Sequence, residues 1–195
     1  MRTAIIGLPQ TGKTSLFTIL TGAQQSTRLG TLSARVGIAR VPDPRLEAVA
    51  AVFRPAKITH ATIEYLDTPP ISKEALRDPG YLAGLRIVDA FAHVLRLFRD
   101  DRVPHEFGSL DPMRDLEHVE TELILSDLAV VEKRLERLEK DRKKVKSPEL
   151  DQEAELLQRI RGLLESGRPL REMSLSEEQE KRLRGFQFLS QKPML

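Results

Sequence analysis

Residues 7–15, which read GLPQTGKTS, constrain the fold more than any other stretch of the chain. They match the spacing G-x-x-x-x-G-K-[ST], which is typical of a loop that holds nucleotide phosphates. The apolar run at residues 3–7 predicts a buried parallel strand before the loop, and the spacing of Leu16, Phe17 and Leu20 predicts a helix after it. The alternative is a plain glycine turn, although a chance match to the whole motif is on the order of one in a hundred.

The motif assigns a role to each part of the loop. Backbone N–H groups of a glycine-rich loop and of the following helix N-terminus attract phosphate oxygens. We expect Lys13 to reach the β and γ phosphates and Thr14 to ligate Mg²⁺. The predicted nucleotide-binding residues are therefore Gly7, Leu8, Pro9, Gln10, Thr11, Gly12, Lys13, Thr14 and Ser15.

Composition narrows the class of protein further. Charged residues make up 31% of the 195, but the formal net charge is only +2, which argues against a general nucleic-acid or membrane binder. The chain has no cysteine, which excludes disulfides and thiolate metal sites and favours a cytoplasmic location. No apolar run is long enough to span a membrane. We expect neither a membrane nor DNA among the partners.

Alternating strand and helix patterns predict an α/β fold. Further strands are predicted at residues 35–41, 58–67 and 90–98, with a short helix at 46–53, so we expect a mainly parallel sheet. After residue 110 a 3/4 apolar spacing runs through a charged helix, and a second amphipathic helix begins at Ser147-Pro148. Together they predict an antiparallel coiled-coil hairpin that follows the P-loop domain.

At this point the sequence resembles the YchF or Obg-like ATPase family of P-loop NTPases. The resemblance rests on the loop at 7–15, on Pro-Asp-Pro-Arg-Leu at 42–46, on Thr121-Glu-Leu with Asp127-Leu, and on Leu-Ser-Glu-Glu at 175–178. It implies a Ras-like G domain at residues 1–110, a coiled-coil hairpin at 111–172, and a return to the G domain at 173–195. It also implies ATP or GTP binding with Mg²⁺-dependent hydrolysis, and association with ribosomes.

The resemblance carries three further site residues. Thr31 matches the switch I threonine that contacts Mg²⁺, and Asp67 matches the Walker B aspartate that holds the metal. The alternatives are an ordinary loop threonine and a strand-end cap. His105 stands where the family has a histidine implicated in hydrolysis, although a lone loop histidine is more often only solvated. We expect His60, His93 and His118 to be surface or core residues without a metal.

The chain departs from the family at Asp67-Thr-Pro-Pro-Ile. The family pattern here is D-x-x-G, in which the glycine N–H bonds the γ phosphate. Pro70 stands at that position and has no N–H to donate. This departure keeps two hypotheses open: a ribosome-associated NTPase, or a degenerate module that binds nucleotide, perhaps as the diphosphate, with weak or no hydrolysis and presents its hairpin to a partner.

Two features bear on partners and on the base. Residues 132–146 hold eight Lys or Arg against four Asp or Glu, concentrated near the expected hairpin tip, so rRNA phosphates are a candidate partner there. A solvated helix face explains the same charges. The family's base-reading motif, N-x-x-E, is absent, because the chain contains no asparagine. We therefore expect the 195 residues to be the N-terminal part of a longer product, with ATP or GTP undecided.

Overall fold

A five-stranded sheet with a long helical hairpin forms the fold in the computed structural model, which describes residues 1–22, 27–29 and 34–195. The strands are β1 (Arg2–Ile6), β2 (Thr27–Leu29), β3 (Ala34–Arg40), β4 (Thr62–Asp67) and β5 (Ala90–His93). The helices are α1 (Lys13–Thr21), α2 (Pro44–Phe53), α3 (Pro79–Arg86), α4 (Pro112–Lys144), α5 (Pro148–Glu165) and α6 (Glu177–Leu183), with 3₁₀ turns at Ala75–Arg77 and Leu170–Glu172.

The sheet is mixed, in the order β2-β3-β4-β1-β5. Strand β1 lies between β4 and β5 and runs parallel to both, as the sequence predicts for strands joined by helices. On the other side β3 pairs antiparallel with β4, and β2 pairs antiparallel with β3. The glycine loop therefore follows a strand of the parallel part, β4-β1-β5. The antiparallel strands β3 and β2 extend the sheet on the side of β4, the strand that ends at Asp67.

Two predicted strands are longer than the observed ones. The ladder of β4 begins at Thr62 rather than at residue 58, and β5 ends at His93 rather than at residue 98. The chain after β5 turns because the Arg96 guanidinium donates to the carbonyls of Phe98, Asp100 and Pro104, which folds residues 96–104 around it. At the far end, residues 193–195 bond to the β5 backbone, where a further strand is expected.

The helical hairpin is built as its sequence predicts. Ser147 caps α5 with proline at the first position, and Asp111 caps α4 in the same way. A shared apolar core joins the two helices through Val131 and Leu138 of α4 and through Leu157 of α5. Val145 continues the apolar spacing of α4 in the sequence, but it is 60% exposed because α4 has already ended at Lys144.

The hairpin is rooted in the sheet's own core. Val119 and Leu123 of α4 are fully buried against the strands and α3. Asp127, one turn further, is also buried and accepts the backbone N–H groups of Leu189 and Ser190. The returning C-terminal segment is therefore bonded directly to the base of the hairpin.

Candidate nucleotide-binding cleft

The loop between β1 and α1 has the backbone that its glycines predict. Gly7 has φ +144°, and a Cβ there would lie 2.6 Å from the carbonyl oxygen of Val94, so no larger residue fits. Gly12 is left-handed at φ 98° and forms the N-cap of α1. The loop therefore wraps the helix N-terminus, where backbone N–H groups and the helix dipole favour an anion.

Lys13 and Thr11 both bond to one carbonyl of the loop. The Lys13 ammonium donates to Leu8 O at 2.6 Å, and the Thr11 hydroxyl donates to the same oxygen at 3.1 Å. Burial lowers the pKa of Lys13, and the charge of Asp67 acts against that shift. The ammonium is thus held inside the loop beside a carboxylate, close to where the motif requires phosphate.

The two metal-ligand candidates that the structure describes meet in space. The Thr14 hydroxyl, at the start of α1, donates to Asp67 Oδ2 at 2.9 Å, although the residues are 53 positions apart. Asp67 ends β4 and is largely buried. A hydroxyl and a carboxylate suit Mg²⁺, which binds few protein oxygens and completes its shell with water and phosphate. The third candidate, Thr31, lies outside the described residues.

The segment after Asp67 is tied to the loop. Thr68 donates its hydroxyl to Ile5 O at 2.8 Å, and the Ile71 N–H donates to Gly7 O at 3.2 Å. Pro69 and Pro70 have no N–H. No backbone donor from positions 69–71 is therefore free to face a phosphate, which is a stronger restriction than Pro70 alone suggests.

A cleft of about 710 Å³ opens above these groups. Residues 10–15 of the loop line it, together with residues 67–70. Gly7, Leu8 and Pro9 do not line it, so of the predicted nucleotide-binding residues only the second part of the loop faces the cavity. The first part of the loop supplies the turn and the carbonyl that holds Lys13.

Three residues that the sequence analysis did not single out also line the cleft: Arg35, Phe98 and Val103. Arg35 pairs in register with Asp67 across the antiparallel β3–β4 ladder, which places a cation beside the proposed metal site. Strand pairing of this kind is a long-range property. The only signal in the sequence is an arginine at the start of a strand, which is too common to single out.

His105 lies apart from this cleft. Its Nε2 is 2.8 Å from Asp115 Oδ2 on α4, and its Nδ1 accepts the N–H of Phe107 at 3.1 Å, so the proton sits on Nε2 and is donated to Asp115. The side chain is 9% exposed. His105, the predicted catalytic residue, does not line the cavity, and its low exposure does not fit the alternative of a solvated loop histidine.

His93 is the buried histidine closest to the loop. It ends β5 beside Gly7, and neither ring nitrogen has a hydrogen-bond partner among the described residues. Burial and, to a smaller extent, the nearby Lys13 charge lower its pKa to about 4, while Asp115 opposes the shift. The ring is therefore neutral at physiological pH, and its nitrogens are closed off from solvent.

The fold and the cleft together define the class. A parallel strand, a G-x-x-x-x-G-K-T loop around a helix N-terminus, and an aspartate on the neighbouring strand bonded to the loop threonine are the parts of a P-loop NTPase domain. No helix in the part of the chain that the structure describes has the length and apolar character needed to cross a bilayer.

Comparison with known proteins then places the chain within that class. It is 37% identical over 198 residues to the ribosome-binding ATPase YchF of Bacillus subtilis, covering 98% of this chain and 54% of the relative. It is 34% identical over 200 residues to that of Escherichia coli O157:H7, with the same coverage. The Schizosaccharomyces pombe YchF GTPase structure superposes with a TM-score of 0.77 at 25% identity, over 100% of this chain and 55% of that one.

The chain is a homologue of the YchF family. It spans about half the length of the curated relatives that it matches. No family model matches the sequence.

Proposed function

We propose that the chain binds a nucleoside triphosphate, ATP or GTP, together with Mg²⁺ in the cleft above residues 10–15. The observation that carries this proposal is the 2.9 Å contact between the Thr14 hydroxyl and the Asp67 carboxylate, with the Lys13 ammonium buried in the same loop. In this assignment Lys13 exchanges its bond to Leu8 O for phosphate oxygens. Thr14 and Asp67 hold the metal, directly or through water, and Thr31 remains a proposed third ligand.

The second part of the proposal is that the chain hydrolyses the nucleotide. It is supported by the names of the relatives, which are called ATPase or GTPase. Ile71 is buried and apolar, so it cannot orient water. Arg35 lines the cleft next to Asp67 and is available to neutralise charge that develops on the phosphates. His105 is the proposed catalytic residue of the family pattern, and it must leave both Asp115 and the Phe107 N–H to reach the cleft.

Calorimetric titration with ATP, GTP, ADP and GDP, with and without Mg²⁺, tests the binding site. We expect the chain to bind nucleotide in a Mg²⁺-dependent manner. Lys13→Ala should abolish this binding, and Asp67→Ala should make the remaining binding independent of Mg²⁺. Lys57→Ala, at an exposed lysine far along the chain from the loop, is the matched control and leaves affinity unchanged. Binding or hydrolysis that survives Lys13→Ala contradicts the site.

A specific observation favours a second candidate function, a nucleotide-binding module with little or no hydrolysis. Pro69 and Pro70 offer no N–H, and the Ile71 N–H is already donated to Gly7 O, so the γ phosphate meets no backbone donor from this segment. Such a cleft distinguishes triphosphate from diphosphate poorly. The nucleotide then acts as a ligand that orders the loop while the hairpin contacts a partner.

The variant Pro70→Gly separates the two functions. If the missing donor limits the protein, the variant gains turnover or preference for triphosphate over diphosphate, measured by phosphate release and by the ratio of dissociation constants. Pro42→Gly, outside the cleft, controls for a general increase in backbone freedom. If Pro70→Gly and the wild-type chain show the same turnover and the same ratio of dissociation constants, Pro70 does not limit hydrolysis or triphosphate preference.

The relatives' names include ribosome binding, and we propose that the hairpin tip makes a contact of this kind. Lys143, Lys144 and Lys146 are exposed around the turn between α4 and α5, whereas Arg142 pairs with Asp151 at 2.5 Å. A simpler role for these charges is to stabilise the C-terminus of α4. Both roles are compatible with a cytoplasmic protein.

Ribosome co-sedimentation distinguishes the two roles. Charge reversal at Lys143, Lys144 and Lys146 should weaken binding to ribosomes and reduce its dependence on salt. Lys181→Glu on α6 is the control, since that lysine is also exposed but lies away from the tip. If the triple variant binds ribosomes like the wild-type chain, the tip charges serve only the helix.

A further inference from the structure

A second cavity shares no lining residue with the nucleotide-binding cleft. It is a groove of about 460 Å³ between the 3₁₀ turn and α3 on one side and α4 on the other. Its apolar lining comes from five residues: Leu76, Leu82, Leu125, Ala129 and Val130. Leu125 is 51% exposed, so part of this apolar surface faces solvent. We call this cavity the α3–α4 groove.

Cationic side chains surround the α3–α4 groove. Four of its lining residues are basic, and Glu122 is its only lining carboxylate; the basic residues are Lys73, Arg77, Arg86 and Lys133. None of the four forms an ion pair with a residue that the structure describes. An apolar floor within an unpaired basic rim matches a ligand that is apolar on one side and anionic at its edges.

Arg86 is the groove residue with a buried donor, its Nε–H, that lacks an acceptor among the described residues. The nearby carboxylate of Asp127 is occupied by the N–H groups of Leu189 and Ser190. A buried guanidinium donor without an acceptor costs stability, and a carboxylate that enters the groove would satisfy it once the Arg86 side chain turns outward.

The neighbouring acidic groups do not neutralise the positive charge of the basic rim. Glu74 lies near Lys73 and Arg77 on the outer side of the 3₁₀ turn, but it is fully exposed and does not line the cavity. Glu122 stands at the end nearest the root of α4. The rim therefore keeps an excess of positive charge along both walls.

We propose that the α3–α4 groove is a docking site for a short acidic amphipathic helix of a partner protein. The lining residues on α4 extend from Glu122 to Lys133, a rise of about 16 Å or three helical turns. A groove with an apolar floor of this length matches a partner helix that carries apolar residues at i, i+3, i+4 and i+7. The carboxylates of that helix face Lys73, Arg77, Arg86 and Lys133.

A synthetic helical peptide of about 14 residues tests the proposal, with leucines at i, i+3, i+4 and i+7 and glutamates elsewhere. Its counterpart carries lysine in place of every glutamate. The acidic peptide should bind the 195-residue chain in fluorescence anisotropy, more weakly as salt rises, and should shift the amide signals of residues 73–86 and 122–133. The basic peptide should not bind.

Two variants and a control complete the test. Leu125→Glu places a charge on the exposed apolar floor, and Lys133→Glu reverses one charge of the basic rim. Each should weaken the binding of the acidic peptide by about tenfold or more. Val52→Glu on α2 is the matched control, because Val52 is 75% exposed but lies outside the groove. Circular dichroism establishes that all three remain folded.

Four results overturn the proposal. They are equal binding of the acidic and basic peptides, no binding of the acidic one, unchanged affinity in both groove variants, and signal shifts outside the groove. A single-stranded RNA that binds these same residues while the peptide does not would assign the basic rim to nucleic acid instead. Dimerisation of the chain that Leu125→Glu abolishes would make the groove a contact between copies.

Discussion

Replacing His93 should remove part of the protein's sensitivity to acid. The pKa of His93 is about 4 in the folded chain, against an ordinary 6.5, mainly because the ring is buried. In the unfolded chain the ring takes up a proton below pH 6.5, whereas in the folded chain it remains neutral until about pH 4. The unfolded state therefore binds more protons in this window, and stability falls as the pH falls.

The magnitude follows from the two pKa values. Lowering the pH from about 7.5 to about 5 should cost about 2 kcal/mol through His93, and the full loss, reached below pH 4, is about 3 kcal/mol. His93→Phe removes the titrating group. Neither ring nitrogen has a partner among the described residues, so the substitution breaks no hydrogen bond. The variant should lose about 2 kcal/mol less than the wild-type chain between these pH values.

Urea denaturation at the two pH values measures the difference. The comparison is made within each variant, so any packing change that phenylalanine causes cancels from the result. His93→Leu repeats the test with a different shape, and His60→Phe controls for the loss of a histidine elsewhere in the chain. If His93→Phe and the wild-type chain lose the same stability from pH 7.5 to pH 5, burial does not hold the ring neutral.

Three other substitutions test the packing that positions the cleft and the hairpin, each by chemical denaturation. Asp127→Ala leaves the buried N–H groups of residues 189–190 without an acceptor and should cost about 2–5 kcal/mol, whereas a loss below 1 kcal/mol would mean that water replaces the carboxylate. Gly37→Ala places a Cβ 2.6 Å from Thr21 Cγ2 and should cost about 1–3 kcal/mol, which Thr21→Ala should partly restore. Asp111→Ala removes the N-cap of α4 and should cost about 1 kcal/mol, while Asp111→Asn should cost less; equal losses would rule out capping.

The features that the sequence predicted correctly are local ones. The loop at residues 7–15 is recognised because its motif, the strand before it and the helix after it are contiguous. The cap and proline at Ser147-Pro148 are equally local, and the structure contains them. The hairpin seam was predicted because apolar spacing within a helix depends only on its 3.6-residue period.

The features that the sequence did not predict arise from long-range pairing. The antiparallel placement of β3, which brings Arg35 opposite Asp67, depends on contacts between strands and not on the pattern within either one. The Phe98 wall of the cleft depends on how Arg96 folds the following loop. Both ring nitrogens of His105 are hydrogen-bonded, one to Asp115 of α4 and the other to the Phe107 N–H. The bond to Asp115 forms because α4 passes beside the loop, which no spacing rule predicts.

The length of α4 has a mechanical consequence. It is one helix of 33 residues, so its ends are about 50 Å apart. Val119 and Leu123 clamp one end in the sheet's core, where Asp115 also holds His105, and the other end carries the basic turn. The helix is thus a lever arm of about 32 Å from Leu123 to Lys144. A rotation of about 5° at Leu123 would displace Lys144 by about 3 Å, comparable to the length of a hydrogen bond. A small rotation at the base of the hairpin would therefore move the basic turn far enough to make or break a hydrogen bond with a partner.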